Sequence, residues 1–300
     1  MESSDGVNIE SPYVSLANSM RDQFDSLPPI SSACTLYRVP DRLRLVKEEA
    51  YIPQVVSIGP LHHGKDSLKA MEEHKMRYRW KYLERTRESL ENYLKIVKES
   101  EPKLRSSYAE SIGFSSDEFV QIILVDSVFI IEELRDSFPV PEDEPDWIFN
   151  KPWMLHDVRL DLLMLENQFP FFILEKLYTP NKITLSSGQT VNLSIIELSH
   201  KFFTKQIPLE GTEEKFEKIK GDNVAHFVDF LRKLYIPSNP RNGEECKSVT
   251  ASSITELHLT IPSVTELHRA GVKFKVASSK NLFDINFKNG NGILEQQAMR

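Results

Sequence analysis

One apolar segment, residues 157–178, constrains the fold of this chain more than any other stretch. It reads DVRLDLLMLENQFPFFILEKLY, with three polar residues at 166–168 and a proline at position 170. Proline is accepted in the first turn of a helix, and the residue before a proline avoids the α-helical region. Pro170 therefore predicts two helices, at about 153–168 and about 170–178, instead of one long helix.

The polar residues Glu166, Asn167 and Gln168 have two interpretations. A broken helix leaves unpaired carbonyls on one side of the break and unpaired amides on the other. Amide side chains donate to carbonyls and carboxylates accept from amides, so the three residues would then be structural. Alternatively, a carboxylate and two amides that are held in apolar surroundings form an active-site cluster.

Composition narrows the class of protein. The chain has 300 residues, 40% of them hydrophobic and 27% charged, which is enough for a sizeable globular core. Its net charge of −7 argues against a nucleic-acid partner, because binding to phosphates requires a basic face. Cys34 and Cys246 form no metal-like pattern and no disulfide framework, which predicts a reducing compartment. With no secretion signal and no apolar run of about 18 residues, we expect a cytoplasmic or cytoplasm-facing protein.

The sequence predicts one large domain after a short leader. Residues 1–33 are polar and contain paired prolines and serines near their end, which predicts a disordered leader. Residues 34–300 then form a single domain, with a helical core at about 60–240 and a small β-containing part at about 250–295. The fold class is mainly α, within α+β: a multi-helix globular bundle with short N-terminal extended segments and a small C-terminal antiparallel β element.

Local patterns support these elements. Residues 35–45 and 54–58 are rich in branched and aromatic residues between prolines, which predicts extended segments or short edge strands. A loose apolar stripe among many charges predicts a helix over residues 66–99. Ser115 followed three residues later by Glu118 is a capping-box pattern, which predicts the start of an apolar helix. In the C-terminal part, alternation of apolar and polar residues predicts half-buried strands.

The loop at residues 59–64 presents two adjacent histidines, His62 and His63. With Glu166 they would form the centre of an uncharacterised hydrolase or metal-dependent enzyme, although adjacent histidines on a loop need a further metal ligand. Alternatively, the loop is structural, with glycines that adopt unusual dihedrals and imidazoles that bond backbone groups. The phosphate-loop, dinucleotide, nucleophile-elbow and zincin motifs are absent from the sequence. We therefore predict no catalytic residue, cofactor or bound metal.

Three motifs follow one another along the chain: Val56-Ser-Ile-Gly-Pro-Leu-His-His-Gly64, the interrupted helix around Pro170, and Thr265-Glu-Leu-His268. From Cys34 to Gly290 the chain closely resembles a plant-specific family catalogued as domain of unknown function 247. The positions that form this structural signature are Gly59, Pro60, His62, His63, Gly64, Glu166, Asn167, Gln168, Pro170, Glu266 and His268.

The resemblance implies a largely helical protein without established enzymatic activity. Some grass members of the family are implicated in pollen-side self-incompatibility, which implies recognition of a protein partner. Related chains continue past Gly290 and typically end in one hydrophobic helix that anchors them in a membrane. The resemblance therefore implies that this chain is a truncated or alternatively spliced member of a membrane-associated family.

These considerations predict a non-enzymatic recognition or signalling protein. The charged helix at residues 66–99 is the expected partner surface. Its predicted contacts are Arg77, Arg79, Trp80 and Arg85, because arginine and aromatic residues are enriched at the energetic centres of interfaces.

Overall fold

The protein is mainly helical in the parts that the structure describes. The computed structural model describes residues 12–26, 34–136, 151–179, 183–184, 190–204, 207, 212–236, 263–275, 286–288 and 293–295. The α-helices in these ranges are α1 (Pro12–Ser26), α2 (Asp41–Arg44), α3 (Lys69–Thr86), α4 (Leu90–Ser106), α5 (Ser116–Asp136), α6 (Pro152–Asp161), α7 (Phe171–Leu177), α8 (Ile195–Thr204), α9 (Glu213–Ile219), α10 (Phe227–Tyr235) and α11 (Val264–Arg269). Single turns of 3-10 helix lie at Glu48–Tyr51 and Asp66–Leu68.

Helix α5 lies at the centre of the bundle. It is buried along nearly its whole length and packs against α3, α4, α7 and α8. Its start is fixed by a reciprocal cap, in which the Glu118 carboxylate accepts from the Ser115 amide at 3.0 Å and the Ser115 hydroxyl accepts from the Glu118 amide at 3.3 Å. The predicted start of this apolar helix is therefore confirmed.

The predicted helix over residues 66–99 is two helices, α3 and α4. The chain turns at Arg87, whose φ of 55° places it in the left-handed region. Ser89 then starts α4 by accepting a hydrogen bond from the amide of Asn92 at 3.2 Å. The prediction missed this break because charged residues flank it on both sides and no proline or glycine marks it.

The interruption at Pro170 is confirmed, but it differs in extent from the prediction. Helix α7 begins directly after Pro170, as expected. Helix α6 already ends at Asp161, so residues 162–170 form a connecting loop instead of the last turns of a helix. The three polar signature residues thus lie in this loop.

The N-terminal part differs from the prediction in two ways. Helix α1 occupies part of the leader that was predicted to be disordered, because Tyr13, Leu16 and Met20 recur at helical spacing. The predicted extended segments form no strand in the described ranges. Leu36 makes one isolated bridge to Tyr108, while α2 interrupts the first segment and residues 54–58 run without a neighbouring strand.

Short strands occur in two places. Strands β1 (Ile183–Thr184) and β2 (Thr190–Val191) pair antiparallel. In the C-terminal part, β3 (Lys273–Lys275) pairs parallel with β5 (Ile293–Glu295), which pairs antiparallel with β4 (Asn286–Lys288). The predicted antiparallel β element is not supported: these pieces have three residues each, one pairing is parallel, and the rest of the predicted element lies outside the described residues.

Candidate functional site

The loop between α6 and α7 places the polar signature residues inside the protein. Asn167 is fully buried and bridges two parts of the chain. Its Nδ2 donates to the carbonyl oxygens of Val56 at 2.9 Å and Asp161 at 3.0 Å, and its Oδ1 accepts from the amide of Ile58 at 2.7 Å. Asn167 therefore pairs a backbone amide and a backbone carbonyl of the extended segment 54–59, groups that would bond to a neighbouring strand in a sheet.

The end of α6 holds the same segment. The carboxylate of Asp161 accepts from the amides of Gln54 at 2.9 Å, Val55 at 2.7 Å and Val56 at 2.9 Å. Burial raises the pKa of Asp161, and these three amide hydrogen bonds oppose that rise because they favour the ionised form.

A buried ion pair holds the segment from the other side. The Lys75 Nζ on α3 donates to Asp126 Oδ1 on α5 at 2.6 Å, to the Ser57 carbonyl at 2.6 Å and to Glu72 Oε1 at 2.7 Å. The second oxygen of Asp126 accepts from the amide of Gly59 at 2.8 Å. Burial raises the pKa of Asp126, and the positive charge of Lys75 opposes this shift.

We name the side chains of Lys75, Asp126, Asp161 and Asn167, together with residues 54–59, the buried polar cluster. All four side chains are fully buried. Each makes hydrogen bonds to the backbone of the segment, so the buried amides of Val56, Ile58 and Gly59 and the carbonyls of Val56 and Ser57 are paired.

Gly59 is the residue of this segment that tolerates no side chain. Its φ is 70°, and an added Cβ would lie 2.9 Å from the Tyr108 hydroxyl and 3.0 Å from the Gln168 carbonyl oxygen. Gly64 also has a positive φ, 81°, but an added Cβ would meet nothing within 4 Å. The two glycines of the motif thus differ: the first is required by packing as well as by conformation.

The Glu166 carboxylate bonds residues 39 and 44 near the N-terminus and lies close to His62. Its Oε1 accepts from the amide of Val39 at 2.8 Å and from the guanidinium of Arg44. Its Oε2 lies 3.6 Å from Arg38 Nη1 and 3.8 Å from His62 Nε2. His62 is buried, and burial lowers its pKa to about 4, so its imidazole is neutral at physiological pH.

The third signature residue, Gln168, organises the loop itself. Its Nε2 donates to the carbonyl oxygens of Leu162 at 2.5 Å and Met164 at 3.0 Å. Asn167 and Gln168 thus donate to carbonyls of residues 161, 162 and 164, before Pro170, whereas Glu166 accepts from Val39 and Arg44 and not from the amides after Pro170.

The two histidines do not converge. His63 has other neighbours than His62: its ring stands edge-on to Phe114, with centroids 5.6 Å apart, and its Nδ1 lies 4.0 Å from Glu72 Oε2. In the described part of the chain, no group of three or more His, Cys, Asp or Glu residues is placed to hold a metal ion. The constellation of both histidines with Glu166 is thus not assembled.

A surface cleft lies between α3 and α5, on the side of His63. Its volume is about 230 Å³. We name it the α3/α5 cleft, and it is lined by His63, Glu72, Met76, Phe114, Glu118, Gln121, Ile122 and Val125. This lining consists of apolar side chains, two carboxylates, the His63 imidazole and the Gln121 amide, and among the described residues it contains no lysine or arginine.

Three of the four predicted partner contacts lie at the surface. Arg77 is exposed, Arg79 is half-buried, and Trp80 has 66% of its surface exposed. Met76, which lines the cleft, is 44% exposed and precedes Trp80 by about one helical turn, so the two side chains lie along one side of α3.

Arg85 was wrongly predicted to be a partner contact. Its Nε donates to the buried carboxylate of Glu132 at 3.1 Å, and its guanidinium lies over the Tyr82 ring at 5.1 Å. Only 14% of its side chain is exposed, so Arg85 belongs to the packing between α3 and α5.

The last two signature residues lie on α11. The carboxylate of Glu266 accepts from the Ser263 amide at 2.7 Å, and the Ser263 hydroxyl accepts from the Glu266 amide at 3.3 Å, which makes Glu266 part of a helix cap. His268 is exposed. Among the described residues, neither side chain makes a hydrogen bond or an ion pair with the buried polar cluster.

The comparison with known proteins agrees with the resemblance. The sequence profile of DUF247, described as a plant protein of unknown function, matches residues 36–299. The chain belongs to this family. The DUF247 chain is 32% identical over 283 residues to the UPF0481 protein At3g47200 of Arabidopsis thaliana, an alignment that covers 89% of this chain and 58% of the relative. It is 24% identical over 338 residues to a second Arabidopsis UPF0481 protein, At3g02645, with 86% and 63% covered.

The match to these relatives is partial in length. The chain covers less than two thirds of each of the two curated relatives. No solved structure matches the chain. Among the helices in the described ranges, none is long and apolar enough to cross a membrane.

Proposed function

We propose that this DUF247 protein is a non-enzymatic, cytoplasm-facing recognition protein, and that a protein partner docks on the outer side of α3. We name Met76, Arg77, Arg79 and Trp80 the α3 face. The observation that carries the proposal is Trp80, a large aromatic side chain that is 66% exposed beside a cleft. Tryptophan and arginine beside a pocket are typical of the energetic centre of an interface.

The buried polar cluster supports a binding role over a catalytic one. Asn167 and Asp161 direct their hydrogen bonds to backbone groups, and Lys75 is bonded to a carbonyl and two carboxylates. Such side chains stabilise the position of a segment and are not presented to a substrate. The recognition implied by self-incompatibility in some grass relatives is consistent with a protein partner.

The rival function, a hydrolase or metal-dependent enzyme, requires His62, His63 and Glu166 to act on one centre. Only His62 and Glu166 approach each other, with 3.8 Å between Nε2 and Oε2. Elemental analysis of the purified protein distinguishes the two functions. Stoichiometric zinc or manganese that is lost in His62→Gln would favour the enzyme.

The binding proposal is tested by retention of a partner from plant tissue on the immobilised chain. Replacing Arg77 and Trp80 with alanine should lower the retained amount at least about tenfold, because a central interface residue contributes about 2 kcal/mol or more. The melting temperature should stay unchanged, since both side chains are exposed.

A matched control is available on another helix. Trp153 on α6 is 61% exposed, so Trp153→Ala removes a similar exposed surface and should leave retention unchanged. Equal retention by the wild type and the Arg77→Ala/Trp80→Ala variant would contradict the proposal. Equal losses in the α3 and α6 variants would contradict the assignment to α3.

A further inference from the structure

The α3/α5 cleft has a shape and a charge that define the partner chemistry. We propose that it receives the side chain of a lysine or arginine from a partner polypeptide, whose neighbouring apolar residue contacts Trp80. This inference rests on the proposed function, because it names what the α3 face recognises.

The volume of the cleft suits one long side chain. At about 230 Å³ it is smaller than the roughly 300–1,000 Å³ that is typical of sites for whole small molecules. Met76, Ile122 and Val125 line it with apolar surface. Lysine and arginine bury their methylene stems along such surface while their charged ends remain at a polar rim.

The charges of the lining favour a cation. Glu72 and Glu118 contribute carboxylates, and no lysine or arginine lines the cleft within the part of the chain that the structure describes. Hydrogen bonds from Ser115 lower the pKa of Glu118, so this carboxylate is ionised at neutral pH.

Each carboxylate has an oxygen left for a ligand. The hydrogen bonds that Glu118 accepts from described residues go to Oε2, which leaves Oε1. Glu72 uses Oε1 for Lys75, and its Oε2 has His63 Nδ1 at 4.0 Å, beyond a hydrogen bond. A lysine ammonium or an arginine guanidinium supplies the several donors that these oxygens require.

Phe114 adds an aromatic surface to the same site. Its ring packs edge-on against His63, which holds it in the wall of the cleft. A cation close to a phenyl ring is attracted by the ring's quadrupole. The fold already uses this contact elsewhere: Lys103 Nζ lies 4.0 Å from the Phe172 centroid, and the Arg105 guanidinium lies 4.2 Å from that of Phe119.

The neighbouring α3 face explains why the ligand is a polypeptide. Met76 belongs to both the cleft and the exposed side of α3, and Trp80 follows it by about one helical turn. A basic side chain in the cleft therefore brings adjacent residues of its own chain over Trp80. A free polyamine would fill the cleft without making this second contact.

The experiment is a selection of phage-displayed random dodecapeptides on the intact chain. We expect lysine or arginine at one position of the selected peptides, enriched at least about fivefold, with an apolar neighbour. Selection on Glu72→Gln/Glu118→Gln should lose the basic residue, because glutamine keeps the volume and can still cap α5 but carries no charge. The control Glu48→Gln/Glu49→Gln removes the same charge from exposed positions and should leave the enrichment intact.

A direct affinity measurement follows on one selected peptide. Replacing its basic residue with norleucine, which keeps the stem but removes the charge, should weaken binding at least about tenfold, as expected for a charge-assisted hydrogen bond. Spermidine at the concentration of the peptide should not compete.

The outcomes separate the two proposals. Basic enrichment that persists on the Glu72→Gln/Glu118→Gln variant, selected peptides without a basic residue, or equal competition by spermidine would each overturn this inference. Peptides that lack a basic residue but require Trp80 would leave the proposed function standing. Selected peptides that bind Trp80→Ala as well as the wild type would contradict the proposed function itself.

Discussion

The inner side of α3 carries a buried, hydrogen-bonded lysine, whereas the outer side carries an arginine and a tryptophan that are exposed to solvent. On the inner side, the Lys75 ammonium is fully buried and has three hydrogen-bond partners. On the outer side, Arg77 and Trp80 are exposed next to a cleft with available carboxylate oxygens. The buried ammonium of Lys75 thus lies on a different side of α3 from the exposed side chains that we propose as a partner surface, while Glu72 takes part in both regions, because it bonds Lys75 and lines the cleft.

This difference has a physical cause. A buried polar group must have its partners, so each buried side chain demands a specific donor or acceptor at a specific place. An exposed surface is satisfied by water and imposes no such demand. Conspicuous motifs in this chain therefore mark structural requirements, whereas the α3 face has no motif at all.

The largest expected effect is that of Asn167→Ala. The substitution leaves the Ile58 amide and the carbonyls of Val56 and Asp161 buried without this partner. At about 1–3 kcal/mol for each group, we expect a loss of about 5 kcal/mol in the free energy of unfolding, measured by urea denaturation. The exposed Asn192→Ala should change it by less than about 0.5 kcal/mol. A loss below 1 kcal/mol for Asn167→Ala would contradict a structural role.

Lys75→Met should cost about 4 kcal/mol, because it leaves Asp126 as an uncompensated buried charge. The double variant Lys75→Met/Asp126→Asn should be less destabilised than the sum of the single variants, since it removes that charge. Lys69→Met, on the exposed side of the same helix, serves as the control. Equal unfolding free energies for the variants at positions 69 and 75 would remove the contrast between the two sides of α3.

Gly59→Ala should destabilise the protein by about 3 kcal/mol, from the positive φ together with overpacking against Tyr108 and the Gln168 carbonyl. Gly64→Ala has the same conformational cost but open space, so we expect about 1 kcal/mol. Thermal unfolding of both variants measures the difference. Equal melting temperatures would show that packing around Gly59 is not required.

His62 should make the stability of the protein depend on pH. Its folded-state pKa of about 4 lies below the usual 6.5, so the unfolded state binds more protons between these values and stability falls as the pH falls. Between pH 7 and pH 5 the expected loss is about 2 kcal/mol. Over the same pH range, the free energy of unfolding of His62→Gln should fall by about 2 kcal/mol less than that of the wild type. The control His268→Gln, at an exposed position, should give the same profile as the wild type. Parallel profiles for all three proteins would contradict a neutral, buried His62.

Local features of the fold could be predicted from the sequence. The start of α5 depends on Ser115 and Glu118, and the start of α7 on Pro170, all within a few residues of the element concerned. Contacts between distant parts could not be predicted in this way. Asn167 and Ile58 are 109 positions apart, and the sequence shows that Asn167 can donate and accept but not which segment lies beside it.

Two wrong predictions had a signal in the sequence. Met71, Lys75, Tyr78, Tyr82 and Arg85 follow one another at alternating spacings of four and three, which places both charged residues on the buried stripe of α3. This spacing places Arg85 in the interior with Lys75, whereas Arg85 had been predicted as a partner contact. The apolar spacing in the leader likewise indicates α1. The α3/α5 cleft has no such signal, because His63, Phe114 and Val125 come together only when the helices pack.

The most direct test of the buried polar cluster is native-state hydrogen exchange at the amides of Val55, Val56, Ile58 and Gly59. These amides belong to no strand, and side chains from α5, α6 and the following loop accept their hydrogen bonds. If the cluster is part of the core, they exchange only through global unfolding, with protection equal to that of the α5 amides. Exchange at the rate of an exposed loop would contradict the account, because it would show that the side chains of the buried polar cluster do not hold this segment.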